Sequence, residues 1–132
     1  MILDTERIRT AVATVTARHP QIELIVLFGS RARGEGRPDS DWDLAYSTRT
    51  PLDSLSLHAD LVDALQTDDV DAVDLSRASA LLRYRVARDG VLLFERAPGT
   101  FARFWLSAVD FWCDVAPMVR AAQADLFEAL ER

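Results

Sequence analysis

The apolar run Ile22–Phe28 stops at Gly29-Ser30, and ten residues later the next apolar run opens with Asp41-Trp42-Asp43. No other feature limits the fold as strongly. Side chains at i and i+2 of a strand share a face. Asp41 and Asp43 are therefore expected side by side, with Trp42, Leu44 and Tyr46 turned the other way into a core. Neighbouring carboxylates repel one another unless a cation lies between them. A hard divalent cation such as Mg²⁺ is bound by one or two carboxylates together with substrate phosphates. The acid pair asks for a metal, and the Gly-Ser turn beside it for a phosphate.

The turn has the chemistry for that. Gly29 permits unusual dihedrals and close backbone approach. Ser30 is suited to cap a helix starting near Arg31, whose free N–H groups and dipole attract an anion. Arg31 and Arg33 offer cationic donors to phosphate oxygens, and Ser40 directly precedes the first acid. Gly29, Ser30, Arg31, Arg33 and Ser40 are thus the candidate nucleotide-binding residues. A triphosphate is expected between the helix start and a carboxylate-bound metal.

The rest of the chain alternates helix and strand signals. Asp4 or Thr5 is placed to cap a first helix with Ile8, Ala11, Val12 and Val15 on one face, ended by His19-Pro20. Asp41 to about Ser47 reads as the second strand. Pro51-Leu52-Asp53-Ser54 introduces a helix with Leu57, Leu61, Val62 and Leu65 on one side. Thr67-Asp68-Asp69 forms a turn before a third strand, Val70 to Leu75. Ser76 or Ser79 opens a helix that Asp89-Gly90 stops, and Val91–Glu95 reads as a fourth strand. Pro98-Gly99-Thr100 precedes a helical region over 101–131, which Pro117 is expected to kink or divide. The pattern predicts an α/β (α+β) fold. A mixed sheet of about four strands packed with helices occupies 1–97, and a helical extension over 98–132 lies on the same domain.

A site holding two metal ions needs a further carboxylate, and Val70-Asp71-Ala72-Val73-Asp74-Leu75 offers two. Three apart on a strand, Asp71 and Asp74 face opposite ways, so one of them joins the pair. Periodicity leaves the choice open.

Leu27-Phe28-Gly29-Ser30-Arg31-Ala32-Arg33-Gly34, followed by Ser40-Asp41-Trp42-Asp43-Leu44, resembles the signature of the DNA polymerase beta-like nucleotidyltransferases. In so short a chain it looks like the minimal nucleotidyltransferases, several of which are antitoxins paired with a HEPN-domain toxin. The close match covers residues 27–44, and a looser one reaches about residue 95. The resemblance implies a nucleotidyltransferase-like sheet. It also maps the third acid onto Asp71, which opens a Val-Asp-apolar-apolar strand, and leaves Asp74 to the strand end or the next turn. It further implies Asp41, Asp43 and Asp71 as catalytic residues and as ligands of two Mg²⁺ ions. ATP is then the donor and a tyrosine of a cognate HEPN toxin accepts AMP, with pyrophosphate released. Two rivals stand beside this reading. A small-molecule, antibiotic-type nucleotidyltransferase usually carries a further acceptor-binding domain, for which 132 residues leave little room. A non-catalytic antitoxin acting by binding alone has no need of intact Gly-Ser and Asp-x-Asp elements.

A net charge of −6 argues against a broad nucleic-acid-binding face. No long uncharged apolar run provides a membrane span, and the amino terminus has no signal-peptide pattern. The single cysteine, Cys113, allows no internal disulfide, so a reducing, cytoplasmic setting is expected. Cys113 itself reads as a buried structural thiol, His58 as a partly buried helix residue and His19 as a cation at a helix end. Tyr84, among Arg83, Arg85 and Arg88, reads as helix surface, with stacking on a base as the functional alternative. In the last helical region Phe101, Phe104, Trp105, Ala108, Trp112, Val115 and Val119 repeat at helical spacing, while Phe111 and Met118 lie off the stripe. So broad an apolar face predicts both a cover for the sheet and a contact for a protein partner or a second copy of the chain.

Overall fold

Strand β1 is apolar on both faces because it runs through the middle of the molecule. The computed structural model describes residues 5–131. Its elements are α1 (Thr5–Arg18), β1 (Ile22–Phe28), a single helical turn α2 (Gly29–Ala32), β2 (Trp42–Thr48), α3 (Ser54–Leu65), β3 (Val70–Asp74), a 3₁₀ turn (Leu75–Arg77), α4 (Ala80–Asp89), β4 (Val91–Glu95) and α5 (Thr100–Leu130). The four strands form a mixed sheet in the order β3-β2-β1-β4. β1 runs antiparallel to β2 and to β4, and β2 runs parallel to β3. A parallel pair needs a crossover, and here α3 supplies it.

Each face of the sheet has its own core. Ile25 and Leu27 of β1, with Trp42, Leu44 and Tyr46 of β2, pack on Ile8, Val12 and Val15 of α1 and Leu57 and Leu61 of α3. The alternate residues Leu24, Val26 and Ala45 pack with Leu75 and Val86, and Leu82, Phe101 and Phe104 close that side from α4 and α5. This two-sided burial explains why β1 is apolar without alternation from Leu24 to Phe28, after the one charged residue, Glu23.

Local signals set most boundaries. The Asp53 carboxylate accepts hydrogen bonds from the Leu55 and Ser56 N–H groups at the start of α3. Ser79, not Ser76, caps α4 by accepting from the Leu82 N–H at 3.1 Å. Asp4, the alternative cap of α1, lies outside the described residues. The expected strand start at Asp41 is one residue early, because the Trp42 N–H donates to the Asp69 carbonyl at 2.7 Å and the ladder begins there. Among the described residues no helix is long and apolar enough to cross a membrane.

The last region is one continuous helix, so Pro117 does not divide it. Proline removes one intrahelical N–H donor, and in α5 this falls on an exposed stretch where water can bond the freed Cys113 carbonyl. At 1.5 Å per residue the 31 residues of α5 extend about 46 Å. Past Pro117 nearly every residue is exposed. Cys113 is exposed for the same reason, contrary to the buried thiol expected. His58 is also exposed, on the outer side of α3. His19 is buried instead, with Nε2 2.6 Å from Asp60 Oδ2, and it ties the end of α1 to α3.

Candidate active site

The antiparallel register of β1 and β2 sets Phe28 opposite Asp43. Gly29, the next residue, has φ +75° and lies directly against the Asp43 side chain. A Cβ on Gly29 would come within 3.0 Å of Asp43 Cγ and closer still to Oδ2. Glycine is therefore required here twice, by its backbone conformation and by the carboxylate beside it. The parallel register of β2 and β3 then sets Asp71 opposite Asp43. Strand ladders thus bring the Gly-Ser turn and two acids to one corner of the sheet.

Asp41 stands just ahead of β2 and is exposed, Asp43 is half-buried, and Asp71 is exposed. Burial raises the Asp43 carboxyl above its ordinary value, and the charges of Asp71 and Asp41 raise it further, while Arg33 opposes them. Asp43 thus feels the charge of both other acids. Among the described residues, however, no three acidic, histidine or cysteine side chains gather closely enough to form a metal-binding cluster. The donor set suits a hard cation all the same. It is all oxygen, and its innermost carboxylate is held in a setting that disfavours its charge until a positive group offsets it.

Asp74 is engaged elsewhere. Its Oδ1 accepts from the Ser76 N–H at 2.9 Å and the Ser76 hydroxyl at 2.8 Å, which caps the 3₁₀ turn. It also lines a cleft of about 290 Å³ with Tyr46, Arg49 and Arg77 at the far end of β2 and β3. Burial raises the Tyr46 hydroxyl above its ordinary value, with Asp74 adding to the shift and Arg77 opposing it.

The nucleotide-binding candidates divide. Ser30 does not cap a helix from Arg31, since α2 begins at Gly29, with Phe28 at the cap position and no side-chain cap bond. The left-handed Gly29 starts the turn one residue sooner, which places Ser30 inside it. So short a turn adds little dipole, but its first N–H groups lack intrahelical partners. Arg33 pairs with Glu35 at 3.2 Å and reaches Asp89 at 3.9 Å. The Ser40 hydroxyl accepts from the Arg37 N–H, and its carbonyl accepts from Arg31. The Arg31 guanidinium also lies 4.0 Å from the centre of the Trp42 ring. That contact, and the Asp69 carbonyl that anchors Trp42, were not foreseen from the sequence, since both join residues that only the folded loops bring together. Tyr84 stacks on Trp112 at 5.5 Å between ring centres, so its ring face packs against α5 rather than a base.

Comparisons with known proteins agree with this geometry. The family model described as polymerase beta, nucleotidyltransferase matches residues 11–98. The chain is 34% identical over 97 residues to the protein adenylyltransferase MntA of Aphanizomenon flos-aquae, a match over 64% of this chain and 65% of that protein. It is 38% identical over 78 residues to the protein of the same name from Shewanella oneidensis, over 57% of this chain and 55% of that protein. The chain thus spans less than two thirds of the length of these curated relatives. Among solved structures, a toxin-antitoxin crystal structure with AMP-PNP superposes with a TM-score of 0.78 at 27% identity, over 90% of this chain and 98% of that one. The matched region holds the Gly29 turn and all three acids, and the chain belongs to the polymerase beta-like nucleotidyltransferase family.

Proposed function

We propose that this chain is a protein adenylyltransferase and antitoxin, which moves AMP from ATP to a tyrosine hydroxyl of a cognate HEPN-domain toxin and so neutralises it. The observation that carries this reading is the corner where Asp43 touches Gly29 and stands in register with Asp71. The likeness to two MntA adenylyltransferases and to a toxin-antitoxin structure with a bound ATP analogue supports the choice of donor and acceptor.

The N–H groups at Gly29 and Ser30 and the Ser30 hydroxyl hold the distal phosphates. Asp41, Asp43 and Asp71 would hold Mg²⁺, which would supply positive charge to the triphosphate and acidify the acceptor hydroxyl. Asp71, the exposed acid on β3, takes the hydroxyl proton. The tyrosine oxygen forms a bond to the α-phosphorus, and the bond from that phosphorus to the β-phosphate bridge oxygen breaks, releasing pyrophosphate. Residues 1–97 act as the catalytic unit. The 98–132 extension carries the partner contact on its exposed Phe111, Leu126, Phe127 and Leu130, through which a second copy can also associate. The reaction is placed in the cytoplasm, where ATP and an intracellular toxin meet.

The test is transfer of label from ATP labelled at the α-phosphate to a candidate HEPN-domain toxin. Mg²⁺-dependent labelling that disappears when the acceptor tyrosine becomes phenylalanine is expected. Labelling of small hydroxylated antibiotics without any protein acceptor would replace this reading with the small-molecule one. Toxin neutralisation without labelling would leave binding alone.

A further inference from the structure

Arg31 follows the Gly-Ser turn, where a cation is readily assigned to the triphosphate, yet its guanidinium is committed to the loop that carries Asp41. Nε and Nη2 donate to the Ser40 carbonyl at 3.1 and 2.8 Å, and Nη2 also donates to the Pro38 carbonyl at 3.3 Å. The plane of the group lies over Trp42, 4.0 Å from the ring centre. Gly36 lies against the same side chain, and a Cβ there would come within 2.8 Å of Arg31 Cγ. The loop also closes on itself, through Ser40 N–H to the Arg37 carbonyl at 2.9 Å and Arg37 N–H to the Ser40 hydroxyl at 2.8 Å.

These contacts converge on the peptide before Asp41. Ser40 is gripped on one side of the acid, and on the other side Trp42 is 7% exposed and bonded to Asp69. The Asp41 carboxylate itself accepts no hydrogen bond from the described residues, so its place is set by its two pinned neighbours. We propose that Arg31 is a positioning residue that fixes Asp41 through Ser40 and Trp42 and is not a ligand of the triphosphate. The proposal rests on the adenylyl-transfer reading for what Asp41 does, but not for the clamp itself.

Lysine separates the two roles. It keeps the point charge that a phosphate needs, but it lacks the planar fork and the stacking face that the clamp uses. Arg31→Lys and Arg31→Ala are compared with the full-length protein, with folding checked by circular dichroism. Three quantities are read: trypsin cleavage after Arg33, affinity for a fluorescent ATP analogue in EDTA, and kcat and KM for transfer. Release of the loop is expected to speed cleavage after Arg33 by about 5-fold or more in each variant. Metal-free nucleotide affinity is expected to stay within about 2-fold, and kcat to fall about 10- to 100-fold with lysine no better than alanine, the range seen when outer-shell support of a ligand is lost. Restoration of kcat/KM by lysine, with loss of metal-free nucleotide affinity in the alanine variant, would overturn the proposal. Unchanged cleavage at Arg33 in the lysine variant would overturn it as well. A wild-type chain that labels no toxin removes the adenylylation reading instead, and the cleavage and affinity measurements still decide the role of Arg31.

Discussion

Asp43 and Asp71 are partners in the parallel β2–β3 ladder, so a central strand and an edge strand each bring an acid to the same level of the sheet. Asp43 is the inner of the two and carries the strain of the arrangement, because it is half-buried, faces like charge and has the Gly29 backbone pressed against it. The corner is built at the expense of fold stability, in a way that a bound cation would relieve.

That strain has a measurable sign. The native state raises the Asp43 carboxyl above its ordinary 3.8, so it holds this proton more tightly than the unfolded chain does. The stability this group contributes therefore falls as pH rises from 3.8 through the folded-state value, and is level above it. Asp43→Asn is expected to melt at a higher temperature than wild type at pH 7 in EDTA, with the gap closing as pH falls towards 3.8. Its transfer activity is expected to drop by about 100-fold or more, the scale of losing one group that stabilises transition-state charge. Melting curves across pH, set beside a transfer assay, check both. A variant less stable than wild type at pH 7 in EDTA would contradict the account of the corner.

The two acids of β3 are expected to fail differently. Asp71→Asn should abolish transfer while leaving most metal-free ATP binding and stability in place. Asp74→Asn keeps an oxygen acceptor for the cap of the 3₁₀ turn, so stability should change little, and transfer should change far less than in Asp71→Asn. Urea denaturation and labelling of the toxin measure the pair. The reverse ranking in the transfer assay would move the third acid to Asp74.

Gly29→Ala combines two penalties. A non-glycine residue in the left-handed region costs about 1–2 kcal/mol, and the added methyl meets the Asp43 carboxylate. The expected result is a lowered denaturation midpoint together with lost transfer. Gly34→Ala, at φ +74° but with open space where the methyl would go, should share the first effect and keep much of the activity. Equal activity in the two variants would mean that contact with Asp43 is unimportant.

On α5, Phe111 and Phe127 are 54% and 67% exposed, so charge at either position leaves the core untouched. Phe111→Asp or Phe127→Asp is expected to weaken toxin binding or self-association by about 2 kcal/mol, as for a buried aromatic anchor of an interface, with ATP affinity unchanged. Trp112 is a poor choice for this experiment, since it stacks on Tyr84 and its loss would loosen α4 from α5. Calorimetric titration of each variant with the toxin, and light scattering of the chain alone, provide the readings. Unchanged association in both variants would take the contact away from this face.

β1 and β4 were legible because each is a short, largely apolar run with clear punctuation, and they fall where Ile22–Phe28 and Val91–Glu95 place them. The Gly-Ser turn and the acid pair could be located from spacing alone. The choice between Asp71 and Asp74 could not, because it depends on a register with β2 that no local pattern encodes. The contacts of Arg31 were hidden for a similar reason. A guanidinium beside a Gly-Ser turn suggests a phosphate ligand, and only the folded loop shows the Ser40 and Pro38 carbonyls within its reach. Cys113 and His58 were assigned to buried surfaces because periodicity gives a face but not what lies opposite it.

The crossover from Thr48 to Val70 runs through Arg49, the whole of α3 and the Asp69 turn, yet the alignment of Asp43 with Asp71 is fixed by the ladder rather than by that path. Lengthening the loops on either side of α3 should leave the two carboxylates where they are, since closing a longer loop adds only about 0.6 kcal/mol per doubling. A single residue inserted between Trp42 and Asp43, or between Val70 and Asp71, would turn one acid through to the opposite face of the sheet. In a lineage of such chains, then, the crossover is where length is free to drift, and the four residues at the two strand starts are where it is not.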